Sequence, residues 1–174
     1  MDVDLFHAAR RGQIRSRHLI PMKTRRLSKT EKDIFGADFL VTINHEDVVG
    51  FTDDTAAAVL PVPQGVVVSL VAAIVDTPLG FSDADVLGCN LKIGDADDDD
   101  RYLESSSVFV DQTPITKVVG TIATNRFCFI ADGTVDVTFT LTIADEETAG
   151  LDSCTSGQLR LYFSYEDLNQ LPRV

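Results

Sequence analysis

The sequence contains no tryptophan, and its aromatic residues amount to only 7%. Surfaces that stack a sugar ring are built mainly from such side chains. A glycan-binding or glycan-cleaving sandwich, of the kind carried on phage tails, is therefore disfavoured, although carboxylates for a glycosidase pair are plentiful. Cysteine is scarce: Cys89, Cys128 and Cys154 are odd in number and widely spaced, which gives neither a disulfide framework nor a zinc signature. Cys128, in Phe127-Cys128-Phe129-Ile130, reads as a small buried hydrophobe. The three histidines, His7, His18 and His45, lack metal-ligand spacing. No GxGxxG, GxxxxGK or nucleophile elbow occurs, so nucleotide binding and triad chemistry have no support. No apolar run reaches the roughly 18 residues of a membrane span. The longest, Val66–Val75, is interrupted by Ser69. Met1-Asp2-Val3-Asp4 is not the start of a secretory signal, which sets an expectation of cytoplasmic synthesis and no membrane partner. No catalytic residue, cofactor or metal is expected.

What is present is 174 residues of ordinary globular composition, 44% hydrophobic and 24% charged, with a very uneven distribution of charge. Residues 1–32 hold nine of the 15 basic residues and three acids, a net of +6. The remainder carries a net of −18, and the whole chain −12. Such a division suggests a soluble acidic body and an arm that seeks negative charge. The expected division is a basic N-terminal arm over residues 1–36 and one β-domain over residues 37–174.

In the arm, Asp4 and Gly12 could bound a two-turn helix, and residues 13–32 are expected to stay extended unless a partner orders them. Every strand and core residue is placed after Asp38. Phe39, Val41 and Ile43 alternate with Leu40, Thr42 and Asn44; Asn44-His45-Glu46-Asp47 reads as a turn, as does Thr52-Asp53-Asp54-Thr55. Ala56–Val62 reads as a strand ended by Pro61 and Pro63. Val66–Val75, apolar on both faces, should be central or covered by a second surface, such as a neighbouring subunit. Turn chemistry follows at Thr77-Pro78-Leu79-Gly80-Phe81-Ser82-Asp83. Short strands are expected at Asn90–Ile93 and Val108–Val110, and at Arg126–Ile130 before the turn Ala131-Asp132-Gly133.

The clearest strands come last. Val135, Val137, Phe139, Leu141 and Ile143 face one way, with Asp136, Thr138, Thr140 and Thr142 opposite. Leu159, Leu161, Phe163 and Tyr165 repeat the pattern against Arg160, Tyr162, Ser164 and Glu166. About eight short strands joined by turns predict an all-β, antiparallel sandwich, jelly-roll-like, with an extended N-terminal arm.

Two features invite function. The loop Gly94-Asp95-Ala96-Asp97-Asp98-Asp99-Asp100 suggests calcium, but Asp100 stands where an EF-hand needs glycine and Ser106 where it needs the bidentate glutamate. The plainer reading is a solvated loop tip. The arm mixes apolar anchors with its charge. Its candidate partner-binding residues are Leu5, Phe6, Arg10, Arg11, Arg15, Arg17, Leu19, Ile20, Arg25 and Arg26. An arm that only neutralises nucleic acid needs no such anchors, so docking on protein is favoured over packaging, with a floppy solubilising tail as the bland alternative.

From about Glu46 onward the order of motifs resembles a loosely defined group of tailed-bacteriophage jelly-roll virion proteins. Thr52-Asp53-Asp54-Thr55 leads to an apolar strand pair split by a Pro/Gly turn. Leu91-Lys92-Ile93-Gly94-Asp95 and Arg101-Tyr102-Leu103-Glu104-Ser105 flank the acidic loop. Gly157-Gln158-Leu159-Arg160-Leu161-Tyr162-Phe163 and Asp167-Leu168-Asn169 close the chain. The basic arm is not part of the resemblance. It implies a head decoration, cement or head-fibre protein: a structural, non-enzymatic part of the virion on the capsid surface, assembled in the host cytoplasm. The major capsid protein or another virion protein would be its partner, with further copies of itself in a trimer or other homo-oligomer. The alternative is a small jelly-roll coat protein whose arm binds nucleic acid.

Overall fold

The computed structural model describes residues 22–109, 135–145 and 150–170. They form two four-stranded antiparallel sheets packed face to face. Strands β1 (Lys23–Arg26), β2 (Phe39–Asn44), β8 (Cys154–Asp167) and β4 (Val66–Phe81) make sheet A, in that order. Strands β3 (Ala57–Val62), β7 (Val135–Asp145), β5 (Val86–Gly94) and β6 (Leu103–Ser107) make sheet B. Two short helices, α1 (Lys29–Phe35) and α2 (His45–Val48), lie on the sheet A side of the chain order. The chain is thus an all-β antiparallel sandwich. The β6–β7 connection, on which a jelly-roll winding depends, runs through residues outside the described ones.

The period-two patterns place the core. Val137, Phe139, Leu141 and Ile143 of β7 meet Val41 and Ile43 of β2 and Leu159, Leu161 and Phe163 of β8 in one buried cluster. Each strand contributes alternate residues because successive Cβ atoms point to opposite faces of the sheet. The turn at Asp53-Asp54 is tied to β7. The Asp53 carboxylate accepts from the Ile143 amide at 2.8 Å, and Asp54, at φ 51°, accepts from the Thr142 hydroxyl at 3.2 Å. Both contacts use the tolerance of short acidic side chains for tight turns.

Several expectations are corrected. The stretch from Thr77 to Phe81 is not a turn, because β4 runs on through Pro78 to Phe81. Its register against β8 shifts between Val75 and Thr77 and again between Thr77 and Gly80. These irregularities give Pro78, which has no N–H, a place where no ladder donor is required. Gly157, at φ 133°, packs against Leu79 where any Cβ would collide. The expected turn at residues 44–47 is the start of α2, since the Asp47 carboxylate caps the Asn44 amide at 2.8 Å. Of the strand expected at Val108–Val110, Val108 links the two sheets, Phe109 forms an isolated bridge to Leu79 and Val110 lies outside the described residues.

The largest correction concerns the arm. Residues 13–32 were expected to be extended, yet within them β1 pairs with β2 through all four of its residues and α1 begins at Lys29. Leu27 and Ala37 are buried with Leu40 and Tyr162 on the outer face of sheet A, and Val71, Ala72 and Ile74 pack against them. The second apolar face of Val66–Val75 is therefore covered in part by the chain's own residues 27–37. Residues 23–37 thus pair and pack with the sandwich. The features expected at residues 4–12, Cys128, Arg126–Ile130 and Ala131-Asp132-Gly133 lie outside the described residues.

Candidate interaction surface

The segment that joins arm to body folds for local reasons. Ser28 caps α1, accepting from the Glu31 amide, while the Glu31 carboxylate accepts from the Ser28 amide at 2.9 Å. This reciprocal capping box satisfies two donors at the start of a helix too short to stand alone. Gly36, at φ 64°, ends the helix in the left-handed conformation that its lack of a Cβ permits, and its N–H bonds to the Lys32 carbonyl at 2.8 Å. The Leu27 N–H then donates to the Asp38 carbonyl at 2.8 Å.

Of the ten residues assigned to partner binding, only Arg25 and Arg26 are described, and both lie on the exposed strand β1 and make contacts within the chain. Arg25 forks onto both Glu31 carboxylate oxygens, at 2.7 and 3.1 Å. That guanidinium, with the Ser28 amide and hydroxyl, holds the Glu31 carboxyl down at about 2. The Arg26 guanidinium lies 6.0 Å from the centre of the Phe39 ring, its cross-strand partner, and Phe39 meets Tyr165 edge-on at 5.3 Å. Leu5, Phe6, Arg10, Arg11, Arg15, Arg17, Leu19 and Ile20 lie outside the described residues. Lys32 pairs with Asp38, whose other oxygen accepts from the Tyr165 amide at 2.8 Å. Partial burial pushes the Asp38 carboxyl up, but Lys32 and that amide outweigh it and the group is held below its usual range.

The surface that sequence reasoning missed is the outer face of sheet A. Phe35 sits 5.0 Å, ring centre to ring centre, from Tyr162, yet stays 42% exposed, and Ile34 beside it is 69% exposed. Ion pairs rim the patch. Arg160 forks onto Asp76 at 2.5 Å and donates to the Tyr162 hydroxyl at 2.8 Å. A signal was legible in Ser28-x-x-Glu31, a capping box, followed by Ile34-Phe35 and a glycine stop.

The acidic loop is a built turn. Asp95, only 4% exposed, accepts from the amides of Asp97 and Asp98 and from Arg101 Nε at 2.5 Å. Asp99 pairs with Lys92 at 2.9 Å. The carboxylates of Asp98, Asp99 and Asp100 lie within 4.8 Å of one another, a spacing that could hold a cation. A hydrogen bond between Asp98 and Asp100 raises the Asp100 carboxyl, as crowded like charges favour a shared proton. Among the described nucleophiles, Cys89 is pushed up to about 12 by burial, which leaves it a thiol rather than a thiolate. Compared with family models, with curated proteins and with solved structures, the chain finds no match.

Proposed function

We propose that this chain is a structural protein of a tailed-phage particle that performs no chemistry. It is read as a decoration or cement protein held to the head shell by its basic N-terminal arm. The observation that carries the reading is how the basic segment joins the body. Its residues Lys23–Arg26 enter sheet A as β1 and are clamped there by Leu27, the capping box and the Lys32–Asp38 pair. Load on residues 1–21 would therefore pass into a packed sandwich rather than a loose tether. With Arg25 and Arg26 engaged within the body, attachment falls to the apolar and basic residues upstream. The motif order from Thr52 to Asn169 supports the same assignment.

The test uses the full chain and the assembled shell. Changing Leu5, Phe6, Leu19 and Ile20 to Ser keeps every charge, and buried anchors contribute roughly 1–3 kcal/mol each. Attachment should weaken at least tenfold, or about 1.4 kcal/mol, while the packaged nucleic acid stays unchanged. Attachment that survives this change but vanishes with added salt, together with tight duplex binding by the arm, would sink the reading in favour of a nucleic-acid-binding coat protein.

A further inference from the structure

Sheet A with α1 is electrically balanced. Its elements, with Asp38 between them, carry six basic residues and six acids, whereas the other described residues hold Lys92 and Arg101 against 15 acids. A chain of net charge −12 repels its own copies at long range, and the repulsion is weakest where the surface is neutral. Most of the balanced charge is already paired: Arg25 with Glu31, Lys32 with Asp38 and Arg160 with Asp76. The outward face of α1 differs. Lys29, Thr30, Asp33 and Ile34 follow the i, i+1, i+4, i+5 spacing of one helix face, and all four are exposed. The opposite face meets the body, where Phe35 rests on Tyr162 and Lys32 pairs with Asp38. Lys29 and Asp33 make no ion pair with any described residue. Ile34, at 69%, is the most exposed large apolar side chain among the described residues. The capping box at Ser28 and the glycine stop at Gly36 hold the helix at both ends, so this face is presented in one orientation.

We infer that the outward face of α1 is a self-association surface, on which a second copy docks its own α1 across a two-fold axis, the two helices running antiparallel. The argument is charge complementarity. Lys29 and Asp33 lie four residues, or about 6 Å, apart along the helix. An axis level with Glu31, midway between them, sets Lys29 of each copy against Asp33 of the other. The pattern is thus its own complement, with the two Ile34 side chains flanking the pairs. A parallel arrangement would set Lys29 against Lys29 and Asp33 against Asp33. The antiparallel contact is isologous and closes at two copies. A seven-residue helix makes a small interface, so the association is weak and depends on concentration. This inference goes beyond shell attachment and stands whether or not the chain belongs to a phage.

The experiment is sedimentation of the full chain over a series of concentrations, alongside variants at exposed positions. Lys29→Glu and Asp33→Lys each bring like charges together at both cross pairs, and each should weaken dimerisation about tenfold. The chain carrying both substitutions restores opposite charges and should dimerise within about threefold of the unaltered chain. An equimolar mixture of the two single variants should form mixed dimers for the same reason. Lys29 lies in the first turn of α1 and Asp33 in the last, where the helix dipole disfavours both, so neither exchange should harm the helix. Ile34→Ser should weaken dimerisation, whereas Leu87→Ser, at a side chain 58% exposed on β5, should leave it unchanged. An unaltered chain that stays monomeric throughout overturns the inference, and so does association that continues past two copies. A doubly exchanged chain or a mixture no better than the single variants overturns it as well, as does Leu87→Ser acting as strongly as Ile34→Ser. Should a single variant lose the thermal transition of the unaltered chain, the doubly exchanged chain and the comparison of Ile34→Ser with Leu87→Ser decide.

Discussion

Replacing Leu27 by Ala tests whether the end of the arm is part of the folded body. Leu27 is 4% exposed and packs with Ala37, Leu40 and Tyr162 on the outer face of sheet A, away from the main core. Truncation removes three carbons, each worth about 0.8 kcal/mol of transfer free energy, or roughly 2.4 kcal/mol. Buried Leu→Ala changes generally cost about 2–5 kcal/mol once the residual cavity is included. This cluster is small and open on one side, so neighbours can collapse into the gap, and the expected loss is about 2–3 kcal/mol. For a chain of this length that is a fall in Tm of roughly 4–12 °C. Urea and thermal unfolding followed by circular dichroism would measure it, with deletion of residues 1–21 as the control expected to leave the transition in place. Deleting 1–32 should cost more than Leu27→Ala, because β1 and the capping box leave with it. If Leu27→Ala melts within about 0.5 kcal/mol of the unaltered chain, residues 22–37 are not in the cooperative unit, and the clamp invoked for attachment fails with them.

Acidification should release the same clamp. The Asp38 carboxyl is held below its usual range, so its contribution is fully present above about pH 4 and is lost as pH falls through the depressed value. Asp38→Asn should lower Tm at neutral pH and flatten its decline below about pH 4; an unchanged acid slope would show that the group does not act. Asp95→Ala should destabilise by about 2–4 kcal/mol, less than a fully buried pair because Arg101 is partly exposed, and a denaturant midpoint unmoved from that of the unaltered chain would remove the loop's structural role. Calcium titrated calorimetrically should bind no tighter than about millimolar, since Lys92 and Arg101 already occupy two of the loop's carboxylates; a micromolar site would contradict this.

Strand identity was legible wherever one face met the core and the other met water. Val135–Ile143 and Leu159–Tyr165 carried an unbroken period of two, and the structure sets their apolar halves in one cluster. Legibility failed where a residue's local preference was overridden by pairing. Pro78 and Gly80 read as a turn, yet β8 pairs with Thr77, Gly80 and Phe81 and absorbs the misfit as register shifts. Val66–Val75 reads as central or covered by a second surface, and part of that cover comes from the chain itself. The residues that supply it sit about 40 positions upstream, in a segment whose high charge masked Leu27, Ile34 and Phe35.

Among the described residues, the edges of the two sheets carry features that discourage pairing with other chains. Unsatisfied edge strands invite such pairing, and charge or irregularity on the edge discourages it. On one flank β1 is entirely exposed and basic, and its Thr24 hydroxyl reaches across to the Val59 carbonyl of β3 at 3.2 Å, where the β3 register slips between Ala58 and Leu60. On the other flank the Val108 N–H donates to the Cys89 carbonyl at 2.9 Å and the Val108 carbonyl accepts from the Leu79 amide at 2.8 Å, joining sheet B to β4. Among the described residues, contacts thus cross between the sheets on both flanks, the Thr24–Val59 bond on one and the Val108 bonds with the Leu79–Phe109 bridge on the other. Association through a sheet edge would have to break these ties. Thr24→Val tests the first of them: it keeps the β-branched shape and removes the hydroxyl. Loss of that bond should cost about 1 kcal/mol and leave the oligomeric state of the full chain in sedimentation unchanged. A rise in self-association on loosening this flank would instead identify the edge as the surface through which copies meet.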